Sequence, residues 1–145
     1  MTATPQSYAN HRRVFPLYHL FALPVLIAHV AITLVGALRA PTLWTLWMVV
    51  VAVGLVAAVV ANRASTLIVQ NRVIGLEMRL RLATVLPVEL CQRIPELHLK
   101  QLVGLRYAGD AELTGLVERC LRGELATADA VKRAVRQWRP DYVRA

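Results

Sequence analysis

Acidic residues are missing from the first half of this 145-residue chain: no Asp or Glu occurs from Met1 through Leu76, and all nine lie from Glu77 onward. That absence excludes paired-carboxylate acid–base chemistry and carboxylate metal sites from the N-terminal half. Cysteine is equally sparse, with Cys91 and Cys120 alone, 29 positions apart and without CxxC spacing, so two partly buried free thiols are expected in preference to a disulfide. No Gly-rich phosphate loop, GxSxG or HExxH pattern occurs, and the nine acids scatter along short amphipathic segments as solvated faces, so the chain is not expected to be an enzyme. Charged residues make up only 18% of the chain, against 57% hydrophobic and a mean hydropathy of +0.47, more apolar than a soluble domain of this size tolerates.

The apolar content is concentrated in two runs. Val14–Leu38 (25 residues) and Ala40–Ala61 (22 residues) carry no charged side chain, and Arg39 alone separates them. Each exceeds the roughly 20 helical residues that cross about 30 Å of hydrocarbon. Arg39-Ala40-Pro41-Thr42 is long enough only for a turn, with Pro41 suited to a helix start, so a helical hairpin is predicted. Trp44 and Trp47 inside the turn, and Phe15 and Tyr18 at the other end, occupy the positions of interfacial aromatic belts. Pro16 and Pro24 are expected to loosen or kink the first helix, and Gly54, Ala58, Ala57 and Ala61 repeat at a spacing that admits a neighbouring helix. The polar stretch Thr2–Arg13, without a small-residue cleavage site, argues against a cleaved signal peptide.

Orientation follows from cations near the spans. Arg12, Arg13, Arg63, Arg72, Arg79 and Arg81 lie on one side and Arg39 on the other, so the chain is expected in the bacterial inner membrane with both termini cytoplasmic. The formal charge of +8 is read as topology and attraction to anionic lipid; nucleic acid is not an expected partner.

Beyond Arg63 the second helix is predicted to continue on a stripe of Val69, Val73, Leu76, Leu80 and Ala83, with Glu77 pairing to Arg81, until Pro87 stops it. Three short helices follow, around Leu99, Leu102 and Val103; along Leu113, Leu116, Val117, Cys120 and Leu121; and along Val131, Ala134, Val135 and Trp138. Gly109-Asp110 separates the first two and Thr127 caps the last. The resulting fold class is an all-α membrane protein. It has a cytoplasmic tail (1–13), a first span (14–38), a periplasmic turn (39–43), a second span (44–66), a juxtamembrane helix (67–86) and a small cytoplasmic bundle (87–145). Residues 88–145 are too few for a large core, which hints at a partner.

His11, His19 and His29 fall in or near the first span; His11 and His19 stand about 80° apart and His11 and His29 about 27 Å apart on one helix, so they cannot share a metal. His29, in mid-span, is the one candidate cofactor residue. Its surroundings match the light-harvesting pigment motif at the histidine alone, and a hydrogen bond to a neighbouring helix is the preferred reading. No cofactor is expected, with bacteriochlorophyll or haem on His29 as the alternative; His98 is expected at a solvent-facing helix start. Lys132, Arg133, Arg136 and Arg139 oppose the apolar stripe of the last helix, and with Arg72, Arg79, Arg81 and Trp138 they form the candidate contact set for membrane lipids or a larger membrane-protein complex.

Several segments together carry a resemblance: Gln6-Ser7-Tyr8-Ala9-Asn10-His11, Pro16-Leu17-Tyr18-His19, Val69-Gln70-Asn71-Arg72-Val73-Ile74 with Glu77 and Arg79–Leu82, Ile94-Pro95-Glu96-Leu97, and Arg136-Gln137-Trp138-Arg139-Pro140-Asp141. Over nearly its whole length the chain resembles a family of small bacterial two-span membrane proteins of unknown function, some of which carry a transporter-permease label. The resemblance implies fold and setting but no catalytic residues. The expected function is a non-enzymatic accessory or assembly subunit of a larger inner-membrane complex, photosynthetic or respiratory; a pigment- or haem-binding protein using His29 and a small component of a transport system are the alternatives.

Overall fold

The computed structural model describes residues 6–10 and 15–140; His11, Arg12, Arg13 and Asp141 lie outside them. Every regular element in the described residues is helical. The chain divides into two units, Arg13–Leu67 and a second formed by Met1–Arg12 with Ile68–Ala145.

The hairpin unit opens with a π-helical turn, Leu17–Ala22, that runs into α1, Leu23–Arg39. Pro24 loosens the helix without ending it. It has no N–H to offer the carbonyl four residues back and its ring crowds that carbonyl, and just before it the Leu23 N–H bonds to Tyr18 O, five residues back. At the turn, Thr42 and Thr45 cap α2 reciprocally: Thr42 N–H donates to Thr45 Oγ1 (3.0 Å) and Thr45 N–H to Thr42 Oγ1 (3.2 Å), while Thr45 Oγ1 donates to Ala40 O (2.8 Å). Helix α2 then runs unbroken from Leu43 to Val85, 43 residues.

Both helices, Leu17–Arg39 and Leu43–Val85, are long and apolar enough to cross a membrane. Their apolar side chains are not packed into a protein core. Within the apolar stretches of the π-helical turn, α1 and α2, Ala37 and Ala52 alone are buried, whereas Phe21, Ile32, Leu38 and Trp44 are all more than 60% exposed. Apolar surface of this extent left unburied marks a site of contact with lipid or with another protein.

In the second unit, α2 contributes Ile74, Met78, Leu82 and Leu86 to a core completed by Leu97, Leu102, Leu105, Leu113, Val117 and Val131. Pro87 ends α2 as predicted and leads into two short elements that periodicity did not reveal, α3 (Val88–Cys91) and a 3₁₀ turn (Ile94–Glu96). Then come α4 (Leu99–Leu105), α5 (Asp110–Leu121) and α6 (Ala128–Ala134). His98 is the exposed N-cap of α4, and Thr127 caps α6 by accepting the Ala130 N–H at 3.1 Å. Gln101 is a buried polar anchor absent from the sequence reading. Its amide donates to Cys120 O (3.2 Å) and Leu125 O (3.0 Å) and accepts from His98 N–H (2.8 Å), so all that it buries is bonded.

Three expectations need correction. The stripe Val69, Val73, Leu76, Leu80 and Ala83 is exposed, and the buried face is the one through Ile74, Met78 and Leu82. This stretch of α2 is apolar on two sides, and period alone cannot say which side the bundle takes. Glu77 does not pair with Arg81, which is drawn to Asp110 (2.6 Å). Finally, α6 stops at Ala134, short of Trp138. The chain turns extended at Val135, Gly109 N–H bonds to Gln137 O (2.9 Å), Arg139 N–H bonds to Tyr107 O (2.7 Å), and the Glu112 carboxylate accepts the Arg136 and Gln137 N–H groups (3.0 and 3.1 Å). These bonds replace what a longer helix would have made.

Two glycines mark close approaches of different kinds. A Cβ on Gly104 would lie 2.7 Å from Val131 Cβ and 3.0 Å from Ala128 O, atoms fixed by the backbone of α6; one on Gly75 would meet only Leu99 Cδ1, at 2.6 Å. Gly104→Ala is therefore expected to destabilise the fold by about 1 to 3 kcal/mol, while Gly75→Ala costs less because the Leu99 side chain can rotate away. Thermal melts of the two detergent-solubilised variants, followed by circular dichroism, check the ordering.

Candidate functional site

The bundle's cations divide into those that hold it together and those that face outward. Arg81 belongs to the first group. Its side chain is 16% exposed and donates to Asp110 Oδ1 through Nε (2.9 Å) and Nη2 (2.6 Å), and to Arg106 O (3.3 Å) and Ala108 O (2.7 Å). It thus bonds carbonyls that follow α4 and the carboxylate that starts α5.

The segment it secures, Arg106–Gly109, surrounds Tyr107, which is fully buried. Trp138 stacks on the Tyr107 ring with centroids 4.8 Å apart, Arg106 lies over it at 4.5 Å and Lys132 approaches it at 5.6 Å. Arg106 also donates to the Tyr107 hydroxyl. Two cations on one phenol ring in a water-poor site are favourable through the ring quadrupole.

Arg133 is fastened elsewhere. The Tyr8 hydroxyl donates to Asp129 Oδ1 (2.8 Å) and accepts from Arg133 Nε (3.0 Å), the guanidinium lies 5.3 Å over the Tyr8 ring, and Arg133 reaches Asp129 Oδ2 at 2.9 Å. The Tyr8 hydrogen bond, followed by the nearby cations, holds the Asp129 carboxyl below the usual carboxylate range. Tyr8 was not singled out as a site residue from the sequence; the one signal it offered was its place in the Gln6–His11 segment.

Of the eight expected contact residues, then, Arg81, Lys132 and Trp138 are drawn into the bundle's internal contacts, while Arg133 is fastened to Tyr8 and Asp129 at the surface with its side chain 67% exposed. Arg72, Arg79, Arg136 and Arg139 remain exposed, and among the described residues no carboxylate lies within ion-pair distance of their side chains.

Comparison with protein-family models gives a match over residues 1–145 to the Family of unknown function DUF6526. The chain belongs to DUF6526. No match was found among curated proteins or among solved structures. Membership agrees with the resemblance drawn from the sequence segments, and DUF6526 as described supplies no activity to test against the geometry.

In this DUF6526 chain no group of three or more metal-ligating side chains occurs among the described residues. His19 Nδ1 lies 3.0 Å from Phe15 O, with its ring at the edge of Tyr18 (4.9 Å). The His29 ring is half-buried, and among the described residues it makes no hydrogen bond, so the bond expected to a neighbouring helix is not formed within the chain. Both cysteines are free thiols; burial pushes Cys120 up to about 11, against a smaller opposing pull from Arg119.

Arg81→Met and Trp138→Ala are each expected to lower stability by about 2 to 3 kcal/mol, one by orphaning carbonyls and the other by emptying the stack on Tyr107. Arg136→Gln and Arg139→Gln should stay within about 0.5 kcal/mol. Chemical denaturation in detergent at two salt concentrations checks both statements. His29→Leu should leave expression and folding unchanged, since among the described residues the ring makes no hydrogen bond for the substitution to break. Visible absorption of the purified wild type and variant is the measurement; a chromophore lost with the histidine would make His29 an axial ligand.

Proposed function

We propose that this protein is a membrane-anchored accessory or assembly subunit, not an enzyme, that presents its helical bundle at the cytoplasmic face of the bacterial inner membrane to a larger complex. The observation that carries the reading is the single helix α2, which is apolar enough to cross a bilayer and also supplies Ile74, Met78 and Leu82 to the bundle core. A bundle built on the end of a membrane span has its working position set by the membrane.

The cytoplasmic placement of both termini is supported by the excess of arginine at Arg12, Arg13, Arg63, Arg72, Arg79 and Arg81 over Arg39. Arg136 and Arg139, held outward by backbone bonds that fix the segment after α6, suit contact with anionic headgroups or an acidic partner surface. An energy-transducing complex, photosynthetic or respiratory, is the proposed host. A second reading, a pigment- or haem-binding protein, is favoured by the unbonded His29 ring; the absorption measurement given above tests it.

Migration of the native protein on a non-denaturing gel in mild detergent tests the first reading. It should run with a complex that carries the spectrum of redox or pigment cofactors, and the Arg136→Gln/Arg139→Gln variant should be released at lower salt than the wild type because exposed charges are screened beyond about 8 Å. Migration at the protein's own mass at low salt would defeat the proposal. Orientation is scored on Cys91, because Cys120 is buried and protonated. An impermeant maleimide should label Cys91 only after spheroplasts are broken, and labelling before lysis would reverse the topology.

A further inference from the structure

The cytoplasmic stretch of α2 carries a second apolar face with no partner in the chain. On the side away from Ile74, Met78 and Leu82, Val69 is 60% exposed, Val73 48%, Leu76 61% and Leu80 72%. With Ala83, these residues follow spacings of four, three, four and three, the repeat of a left-handed coiled-coil seam. In that register Val73 and Leu80 take the first core position of the heptad and Val69, Leu76 and Ala83 the second. Arg72 and Arg79 then flank the seam on one edge, and Gln70, Glu77 and Thr84 on the other.

The flanking charges select both the partner and its direction. When two such helices run parallel, each residue on the first edge lies beside the partner's residue five positions later on the second. Arg72 of one copy therefore meets Glu77 of the other, twice by symmetry, and Arg79 meets the neutral Thr84. An antiparallel pair would set the Arg72 and Arg79 edges against each other. Among the described residues neither Arg72 nor Glu77 has an ion-pair partner in its own chain, and Arg81, the nearest cation one turn from Glu77, is held by Asp110. Two copies inserted in one bilayer in the same sense present α2 in parallel, which is the direction the charges require. Confinement to the membrane also raises the effective concentration of one short seam for the other.

We propose that two copies of this chain pair in parallel through the Val69, Val73, Leu76, Leu80 and Ala83 face of α2, locked by reciprocal Arg72–Glu77 ion pairs. The direction of pairing rests on the membrane reading; the seam and its charges do not. The bundle on the opposite side of α2 is left uncovered, so the pair would present two bundles to a host.

The test uses the full chain in native membranes, with Cys91→Ser to remove the accessible thiol. Val73→Cys and Leu76→Cys should each give a disulfide-linked species of twice the chain mass under mild oxidation, at about ten times the yield of Ile68→Cys. Ile68 is 61% exposed but points about 100° from the seam, where the separation a disulfide demands is not met. Arg72→Glu should lower that yield about fivefold, and adding Glu77→Arg should restore it. Equal yields at the three positions, linkage to a species of another mass, or indifference to the charge reversal would each overturn the pairing. A carbonate wash of the same membranes scores insertion separately. A chain that resists the wash but gives no seam-specific dimer overturns the pairing and leaves the membrane reading standing. A chain released by the wash overturns the membrane reading, and with it the parallel direction.

Discussion

One helix, α2, carries both an unburied apolar stretch and a wall of the bundle core, and most of what is distinctive about this chain follows from that. A helix of 43 residues spans about 65 Å, and its two halves differ in what surrounds them. The first half is apolar on all sides, almost wholly unburied, and long enough to cross a membrane. The second half buries Ile74, Met78 and Leu82 in a bundle whose own helices, seven to twelve residues long, could not stand alone.

The short helices are held by polar groups placed where helix ends leave backbone unpaired. Gln101 serves α5 and the loop at Leu125, Arg81 serves the carbonyls after α4, and Glu112 serves the segment after α6. Each is a single side chain answering two or more backbone groups from distant parts of the sequence. In a bundle with so small an apolar core, such bonds decide which packing is unique, because an unmet buried carbonyl would cost more than the bond itself contributes. The proposed function uses the outward arginines, and the proposed pairing of two copies uses the second face of α2.

Much of the fold was legible because the signals are local. The two charge-free runs, the turn at Pro41, the stop at Pro87, the break at Gly109-Asp110 and the cap at Thr127 each depend on residues within a few positions of one another. The family was legible in the same way, from short segments spread along the chain. The candidate site was legible only in part. Arg72, Arg79, Arg136 and Arg139 stay exposed as their sequence context suggested, but Lys132 and Trp138 are drawn onto Tyr107 and Arg133 is tied at the surface to Tyr8, residues 25 or more positions away that no periodicity connects to them.

What the sequence by itself determined was composition along the chain: a helix without charges is comfortable only in lipid or a core, and proline, glycine and threonine punctuate the backbone through their own geometry. What only the tertiary structure decided was choice among equals. Both faces of α2 beyond Ile68 are apolar and either could have met the bundle. The face through Ile74, Met78 and Leu82 takes it, where Leu97, Leu102 and Leu113 complete the core, and the other face stays open. Likewise Glu77 and Asp110 both stood within the reach of Arg81, and Asp110 took it because its position beside the carbonyls of Arg106 and Ala108 lets one guanidinium satisfy all three at once.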